Sequence, residues 1–186
     1  MYTFSPLIER AVRTAMRLHD GDTRKTDPDV PYVTHLIHVG FILQGQGFRE
    51  KVVAAGLLHD TLEDTEYTVE ELTADFGEEI ASMVTAVTEE KHWRWEERKK
   101  RYLAGIVHAT PEIKAICAAD KIHNLSSILA THALIGDDVW RKFARGKQRT
   151  LDFYYQALDA IATGWDHPIV EAYRAVVEEV QREMGE

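Results

Sequence analysis

Apolar residues along this chain recur mostly three and four positions apart, the spacing that lines one face of an α-helix, and strand-like alternation is scarce. Ser5 followed by Pro6 supplies an N-cap and a first helical residue, because proline there gives up only an N–H that has no helical partner. This predicts a helix through about residue 19. Gly21, Pro28, Pro31 and several aspartates make 20–32 a loop. A second helix is predicted over about 34–43, closed by Gly45 and Gly47. A third, over about 50–62, is apolar enough to be the central buried one. Thr68-Val69-Glu70-Glu71 fits a capping box and starts a short helix ending near Gly77. Another helix follows to about Val87, then a charged one near 93–107. Thr110-Pro111 opens the next, which runs past Asp120 to about His132, and the remainder reads as helices near 139–162 and 168–182. No repeat, low-complexity tract or long linker interrupts the series, so we expect one all-α domain over residues 1–186.

With 186 residues, 45% of them apolar and 28% charged, the chain can bury a sizeable core and is not of disordered composition. The longest apolar stretch, 52–58 with Gly56 inside it, is too short to cross a bilayer, and no basic segment followed by an apolar run suggests a signal peptide. A single cysteine, Cys117, has Ile113 and Ile116 nearby and reads as a buried thiol. Together these features point to a reducing cytoplasm. The net charge of −9 and pI near 5.5 oppose binding to nucleic acid or an anionic membrane. They leave room for a local basic pocket, for which Arg24-Lys25 and Arg98-Lys99-Lys100-Arg101 are the candidates. Nothing in the chain speaks to oligomeric state.

The apolar pattern breaks most informatively at Leu57-Leu58-His59-Asp60-Thr61-Leu62-Glu63-Asp64-Thr65, where a helix that reads as buried presents four ionisable groups. Burying charge is costly unless it is paired, hydrogen-bonded or bound to metal. On a continuous helix His59 and Glu63 lie one turn apart, as do Asp60 and Asp64. Imidazole with carboxylate suits manganese, iron, cobalt, nickel or zinc better than calcium. Taken alone, such a segment is more often a helix end facing solvent. Two others change that reading. Pro31-Tyr32-Val33-Thr34-His35 sets an imidazole at a helix start, and Ala118-Ala119-Asp120-Lys121-Ile122-His123-Asn124-Leu125 places a carboxylate, then an amide one turn later, in another apolar helix. Three helices donating such groups can build a metal site in a bundle core.

The order His, then His-Asp, then a distant Asp resembles the HD superfamily of metal-dependent phosphohydrolases. The resemblance is closest to the hydrolase domain of RelA/SpoT proteins and the small alarmone hydrolases. It rests on Arg24-Lys25 ahead of Pro31-Tyr32-Val33-Thr34-His35, and on the run from His59 to Thr65. Thr68 to Phe76-Gly77, Val87-Thr88-Glu89-Glu90-Lys91, Glu97-Arg98-Lys99 and Ala119 to Leu125 follow in the same order. It spans roughly residues 5 to 130. It implies an HD-domain helical bundle holding one Mn²⁺ in its core, and hydrolysis of the 3′-pyrophosphate of (p)ppGpp to pyrophosphate and GDP or GTP. By resemblance His35, His59, Asp60 and Asp120 are the metal ligands. Glu63 and Asp64 position and deprotonate the attacking water, Arg24 and Lys25 bind substrate, and Asn124 contacts the nucleoside.

The sequence departs from that pattern at Leu36, where these hydrolases usually carry proline, and at Asp22-Thr23, where a glutamine and a basic residue are common. Beyond about residue 130 the match loosens, and Lys147 or Arg145 stands where the family closes over the nucleotide. Lys91, Arg98 and Lys99 read either as contacts to a distal phosphate or as a solvated helix face beside Glu96 and Glu97. His92 and His108 fall where dinuclear relatives carry extra histidines, but neither sits in a second motif. His19, His38, His123, His132 and His167 read as surface or structural histidines. Trp93, Trp95, Tyr154 and Tyr155 suit either base stacking or packing. Two other functions stay open: an HD phosphatase releasing orthophosphate from another phosphorylated nucleotide (a 3′-phosphorylated adenosine, a nucleoside monophosphate or NADPH), and a non-catalytic nucleotide-binding regulator. The presence of Glu63 and Asp64 argues against the latter.

Overall fold

The computed structural model describes residues 4–185, and their regular elements are all helical. In order they are α1 (Pro6–Leu18), α2 (Val33–Gly45), α3 (Glu50–Leu57), α4 (Thr61–Asp64), α5 (Val69–Phe76), α6 (Glu78–Val87), α7 (Trp95–Val107), α8 (Pro111–Ile135), a 3-10 segment (Gly136–Lys142), α9 (Gly146–Ala162) and α10 (Pro168–Met184). The expected caps form. Ser5 Oγ accepts from Ile8 N at 3.3 Å, Thr110 Oγ1 from Ile113 N at 3.5 Å, and Thr68 and Glu71 complete a reciprocal capping box. The loop before α2 is tied off by backbone hydrogen bonds from Arg24 to Val30 and from Tyr32 to Asp22, both 2.8 Å, which hold Arg24 and Tyr32 in place.

The core is organised around α3 and α8. Every residue of α3 from Val52 to Leu57 is buried, and the helix packs on α1, α2, α6 and α8. Its seam with α2 needs two glycines. A Cβ on Gly56 would stand 2.3 Å from Leu43 Cδ1, and one on Gly40 would stand 2.8 Å from Leu57 Cδ2. Each helix thus receives a leucine of the other where it lacks a side chain. The long α8 threads the middle of the bundle, with Ala115–Ile122 wholly buried, and packs on α2, α3, α6, α9 and α10. Buried Lys114 on α8 donates to Thr163 O at 2.5 Å, placing a cation on the carbonyl end of α9.

Three sequence expectations are corrected. The predicted third helix is not continuous to residue 62. It stops at Leu57, turns through 58–60 and resumes as α4, because side chains take its carbonyls: His59 Nδ1 bonds Gly56 O at 2.7 Å, and Thr61 Oγ1 bonds Leu58 O at 2.7 Å. The predicted 139–162 helix is a 3-10 segment and α9 with a break between them, where Phe143 is extended and Gly146 has φ of 71°. The charged helix begins at Trp95 rather than 93, since Arg94 is extended.

Gly56→Ala should cost about 1–3 kcal/mol by overpacking the α2–α3 seam. Chemical denaturation followed by circular dichroism reads this as a lower midpoint. Adding Leu43→Ala should recover part of the loss, because the two positions share one space. An unchanged midpoint for the single variant would show that the helices can separate freely.

Candidate metal centre and active-site cleft

The start of α2, the turn after α3 and the middle of α8 deliver His35, His59 and Asp120 to one point. One donor atom from each lies within 4.8 Å of the others, and all three residues are buried. His35 Nε2 is 3.3 Å from His59 Nε2 and 3.3 Å from Asp120 Oδ1, while His59 Nε2 is 3.8 Å from Asp120 Oδ1. Asp60 flanks the group. Its Oδ2 is 3.0 Å from His59 Nε2 and 3.6 Å from His35 Nε2, and it also accepts from Tyr32 Oη at 2.6 Å.

The donor set fits a divalent metal. The break after α3 leaves Gly56 O for His59 Nδ1, so the ring donates from Nδ1 and Nε2 is the nitrogen that faces the cluster. Burial pushes the pKa of His35 down and keeps that ring neutral. Burial works the same way on His59, but the charges of Asp60 and Asp120 outweigh it and lift His59 well above its ordinary value. The two carboxylates thus draw positive charge to the spot a cation would take. Asp120 stays ionised despite burial, because Lys121 (Nζ to Oδ2, 2.5 Å) and the two histidines hold its pKa well below the usual range.

From the cluster a cleft of about 160 Å³ opens between the 58–64 segment, α7 and α8, lined by Asp60, Glu63, Asp64, Glu89, Lys121 and Asn124 among others. Glu63 Oε2 accepts from Glu89 N at 3.1 Å, and Asp64 Oδ1 pairs with Lys91 Nζ at 2.6 Å, so the 88–91 segment lies across both carboxylates. Burial raises the Glu63 pKa; the Glu89 N–H opposes that, and the charges of Asp60, Glu89 and Asp64 add to it. Two further cavities meet the cleft at Asn124. One, of about 410 Å³, is lined by Lys25, Arg98, Lys99, Lys121 and Arg145 with Trp95, Phe153 and Tyr154. The other, of about 260 Å³, is lined by Arg24, Lys25, Tyr32, Phe143 and Tyr154. Asn124 links the parts: its amide donates to Asp120 Oδ1, and its Oδ1 accepts from Arg24 Nη2 at 2.7 Å.

The family model described as HD domain matches residues 11–147, about three quarters of the chain. The chain belongs to the HD domain family. Among its relatives is a protein from Xenopus tropicalis named guanosine-3′,5′-bis(diphosphate) 3′-pyrophosphohydrolase MESH1, 34% identical over 130 residues that cover 69% of this chain and 73% of that one. A Streptomyces coelicolor protein named GTP pyrophosphokinase is 37% identical over 125 residues, but these are 65% of this chain and only 14% of the much longer relative. A solved structure described as a metazoan ortholog of SpoT that hydrolyzes ppGpp superposes with a TM-score of 0.82 over 100% of this chain and 99% of that one. At 24% identity, that match speaks for the fold.

Within this HD domain the other sequence candidates fall into place unevenly. Arg98 lines the basic cavity, with Nε 3.0 Å from Glu89 Oε2, whereas Lys91 reaches the cleft only through Asp64. Lys147 turns to Asp137 at 3.8 Å and lines none of the three cavities; Arg145 does. His92 and His108 are exposed and stand outside the cluster. Among the histidines read as structural, His19 is buried against Tyr32 and His167 caps α10, but His123 lies against His35. Lys99, read as a contact to a distal phosphate or a solvated helix face, lines the basic cavity and pairs with Glu89 Oε1 at 2.5 Å, whereas Lys121 and Glu89 were given no role in the site. For Lys121 a signal existed: a charge flanked by Ala118, Ala119 and Ile122 inside an apolar helix must have a buried partner.

No described helix is long and apolar enough to cross a membrane. If the cluster holds a metal, Mn²⁺ at about 100 times its Kd should add about 2.7 kcal/mol of stability. For a chain of this size that raises Tm by roughly 5–10 °C. The shift should vanish in Asp120→Ala, and calorimetry with a chelator control checks it. An equal shift in that variant would move the metal elsewhere.

Proposed function

We propose that this HD domain is a metal-dependent pyrophosphohydrolase that removes the 3′-pyrophosphate of (p)ppGpp, with Mn²⁺ as its metal, acting in the cytoplasm as one domain over residues 1–186. The observation that carries the reading is the charge at the mouth of the cleft. Most cations there are already committed: Lys121 to Asp120, Lys99 and Arg98 to Glu89, Lys91 to Asp64. Arg24 and Lys25 have no carboxylate partner among the described residues. Arg24 bonds Asn124 and lies over the Tyr32 ring, and Lys25 lies over the Phe143 ring with its pKa lowered by burial. Two uncompensated cations beside a carboxylate-rich metal cleft suit a highly anionic phosphorylated nucleotide. The relatives named for this reaction agree with that chemistry.

His35, His59 and Asp120, with Asp60 beside them, would hold the metal, which when bound polarises a phosphoryl oxygen and makes water more acidic. Glu63, with its raised pKa, accepts the proton of the attacking water, and Asp64 aligns it. The water oxygen bonds to the phosphorus attached to O3′ and the P–O3′ bond breaks. The electron pair stays on O3′, which is then protonated, and pyrophosphate leaves. Arg24 and Lys25 bind the substrate's phosphates and Asn124 its nucleoside, while Trp95, Phe153 and Tyr154 offer ring faces to the base.

Mn²⁺-loaded protein incubated with ppGpp should yield GDP and pyrophosphate on ion-exchange chromatography, with nothing in chelator. Orthophosphate released from a 3′-phosphorylated adenosine, a nucleoside monophosphate or NADPH, with ppGpp untouched, would replace this reading by a phosphatase. Glu63→Gln should retain the metal and lose about 10²–10⁴-fold in kcat. A near-normal kcat would remove Glu63 from the role.

A further inference from the structure

His35 faces the metal cluster through Nε2, and its other ring nitrogen is engaged. Nδ1 lies 2.8 Å from Nδ1 of His123, three residues beyond Asp120 on α8. Two neutral imidazole nitrogens at that distance share one proton, so one must donate and the other accept. If His35 donates, its Nε2 carries the lone pair that a cation needs. If His123 donates, the His35 proton sits on Nε2, among Asp120 Oδ1 at 3.3 Å, His59 Nε2 at 3.3 Å and Asp60 Oδ2 at 3.6 Å, and fills the place of the metal bond. The direction of this one hydrogen bond decides whether His35 can be a ligand. His59 has its answer built into the backbone, in Gly56 O; His35 has only another side chain.

That side chain is itself held from the far side. The His123 ring stacks on His38, with centroids 4.7 Å apart and planes 21° from parallel. His38 is fixed in turn by a 2.8 Å hydrogen bond from Nδ1 to Thr34 O, one turn back on α2. His38 is exposed and His123 half-buried, so three imidazoles run in file from the surface of α2 to the metal cluster.

We propose that His123 is the positioning residue for His35: it accepts the His35 Nδ1–H, fixes the tautomer that leaves Nε2 free for a divalent metal, and is itself steadied by His38. The proposal rests on the metal-site reading above and adds to it a residue outside the ligand set. Partners of this kind are worth about 10–100-fold in metal affinity.

The test is a chelator competition on the Mn²⁺-loaded full chain, read by the electron paramagnetic resonance of free Mn²⁺. His123→Leu, which can neither accept nor donate, should weaken Mn²⁺ binding about 10–100-fold. His123→Asn, whose amide oxygen can take the place of Nδ1, should restore most of the affinity. A Leu variant with wild-type affinity overturns the proposal, as does an Asn variant as weak as Leu, since ring packing alone would then explain the loss. Nitrogen NMR of the wild-type chain loaded with diamagnetic Zn²⁺ gives a reading that needs no variant to fold. His123 Nδ1 should be unprotonated and His35 Nδ1 protonated, and the reverse assignment overturns the proposal. A wild-type chain that takes up no metal, or an Asp120→Ala variant that takes it up as well as wild type, sinks the metal-site reading and this proposal together. A wild-type-like Leu variant beside a metal-free Asp120→Ala sinks this proposal alone.

Discussion

Asp120 sits in the middle of a helix whose flanking residues Ala118, Ala119 and Ile122 are buried, and its carboxylate keeps its charge there. A carboxylate in such surroundings must be compensated by neighbouring cations and hydrogen bonds or it will take up a proton. Much of what surrounds it follows from that requirement. Lys121 bonds one oxygen, the Asn124 amide bonds the other, and His35 and His59 bring ring nitrogens to the same side. The Asn124 amide then carries the arrangement outward to Arg24 and the mouth of the cleft. The residues that neutralise the buried charge also connect the metal cluster to the surface where an anion would bind.

The second half of the donor set depends on backbone geometry. Packed this closely on α2, with glycines at 40 and 56 admitting Leu57 and Leu43, α3 can shift little along its neighbour. Its end is therefore well defined, and the turn through 58–60 that follows places His59 and Asp60 against α2 and α8. Had the helix continued, the Gly56 carbonyl would have accepted from the backbone N–H four residues on. Because the helix stops, that carbonyl orients an imidazole instead. One lost turn of helix is exchanged for a fixed tautomer, which is the kind of irregularity expected where a local rule yields to function.

This explains what the sequence reveals and what it hides. The helical periodicity, the caps at Ser5, Thr68 and Thr110, and the cluster of His35, His59 and Asp120 are legible, because each depends on local spacing or on an ionisable residue standing out in an apolar run. The break after Leu57 is not, since a pattern of apolar positions cannot show a side chain competing for a main-chain carbonyl. His123 was legible as a residue but not as a neighbour of His35, because their contact spans 88 positions and joins two helices. The region after residue 135 was the least legible. There the chain changes from 3-10 to extended to α within ten residues, so each break moves the register, and Arg145 rather than Lys147 lines the basic cavity.

The overall acidity and the basic cavity fit together on the same grounds. At a net charge of −9 the chain repels anions in general, so an anionic substrate must be drawn by a local field. Cations wholly paired with carboxylates would supply little of it. The cleft separates the two tasks: Lys91, Arg98, Lys99 and Lys121 balance the carboxylates the site needs, while Arg24 and Lys25 are left without a carboxylate partner, against the rings of Tyr32 and Phe143. A ring face attracts a cation more weakly than a carboxylate does and leaves its charge available. An arriving phosphate would therefore find two cations that need not first be freed from a carboxylate, one of which, Arg24, is linked through the amide of Asn124 to Asp120.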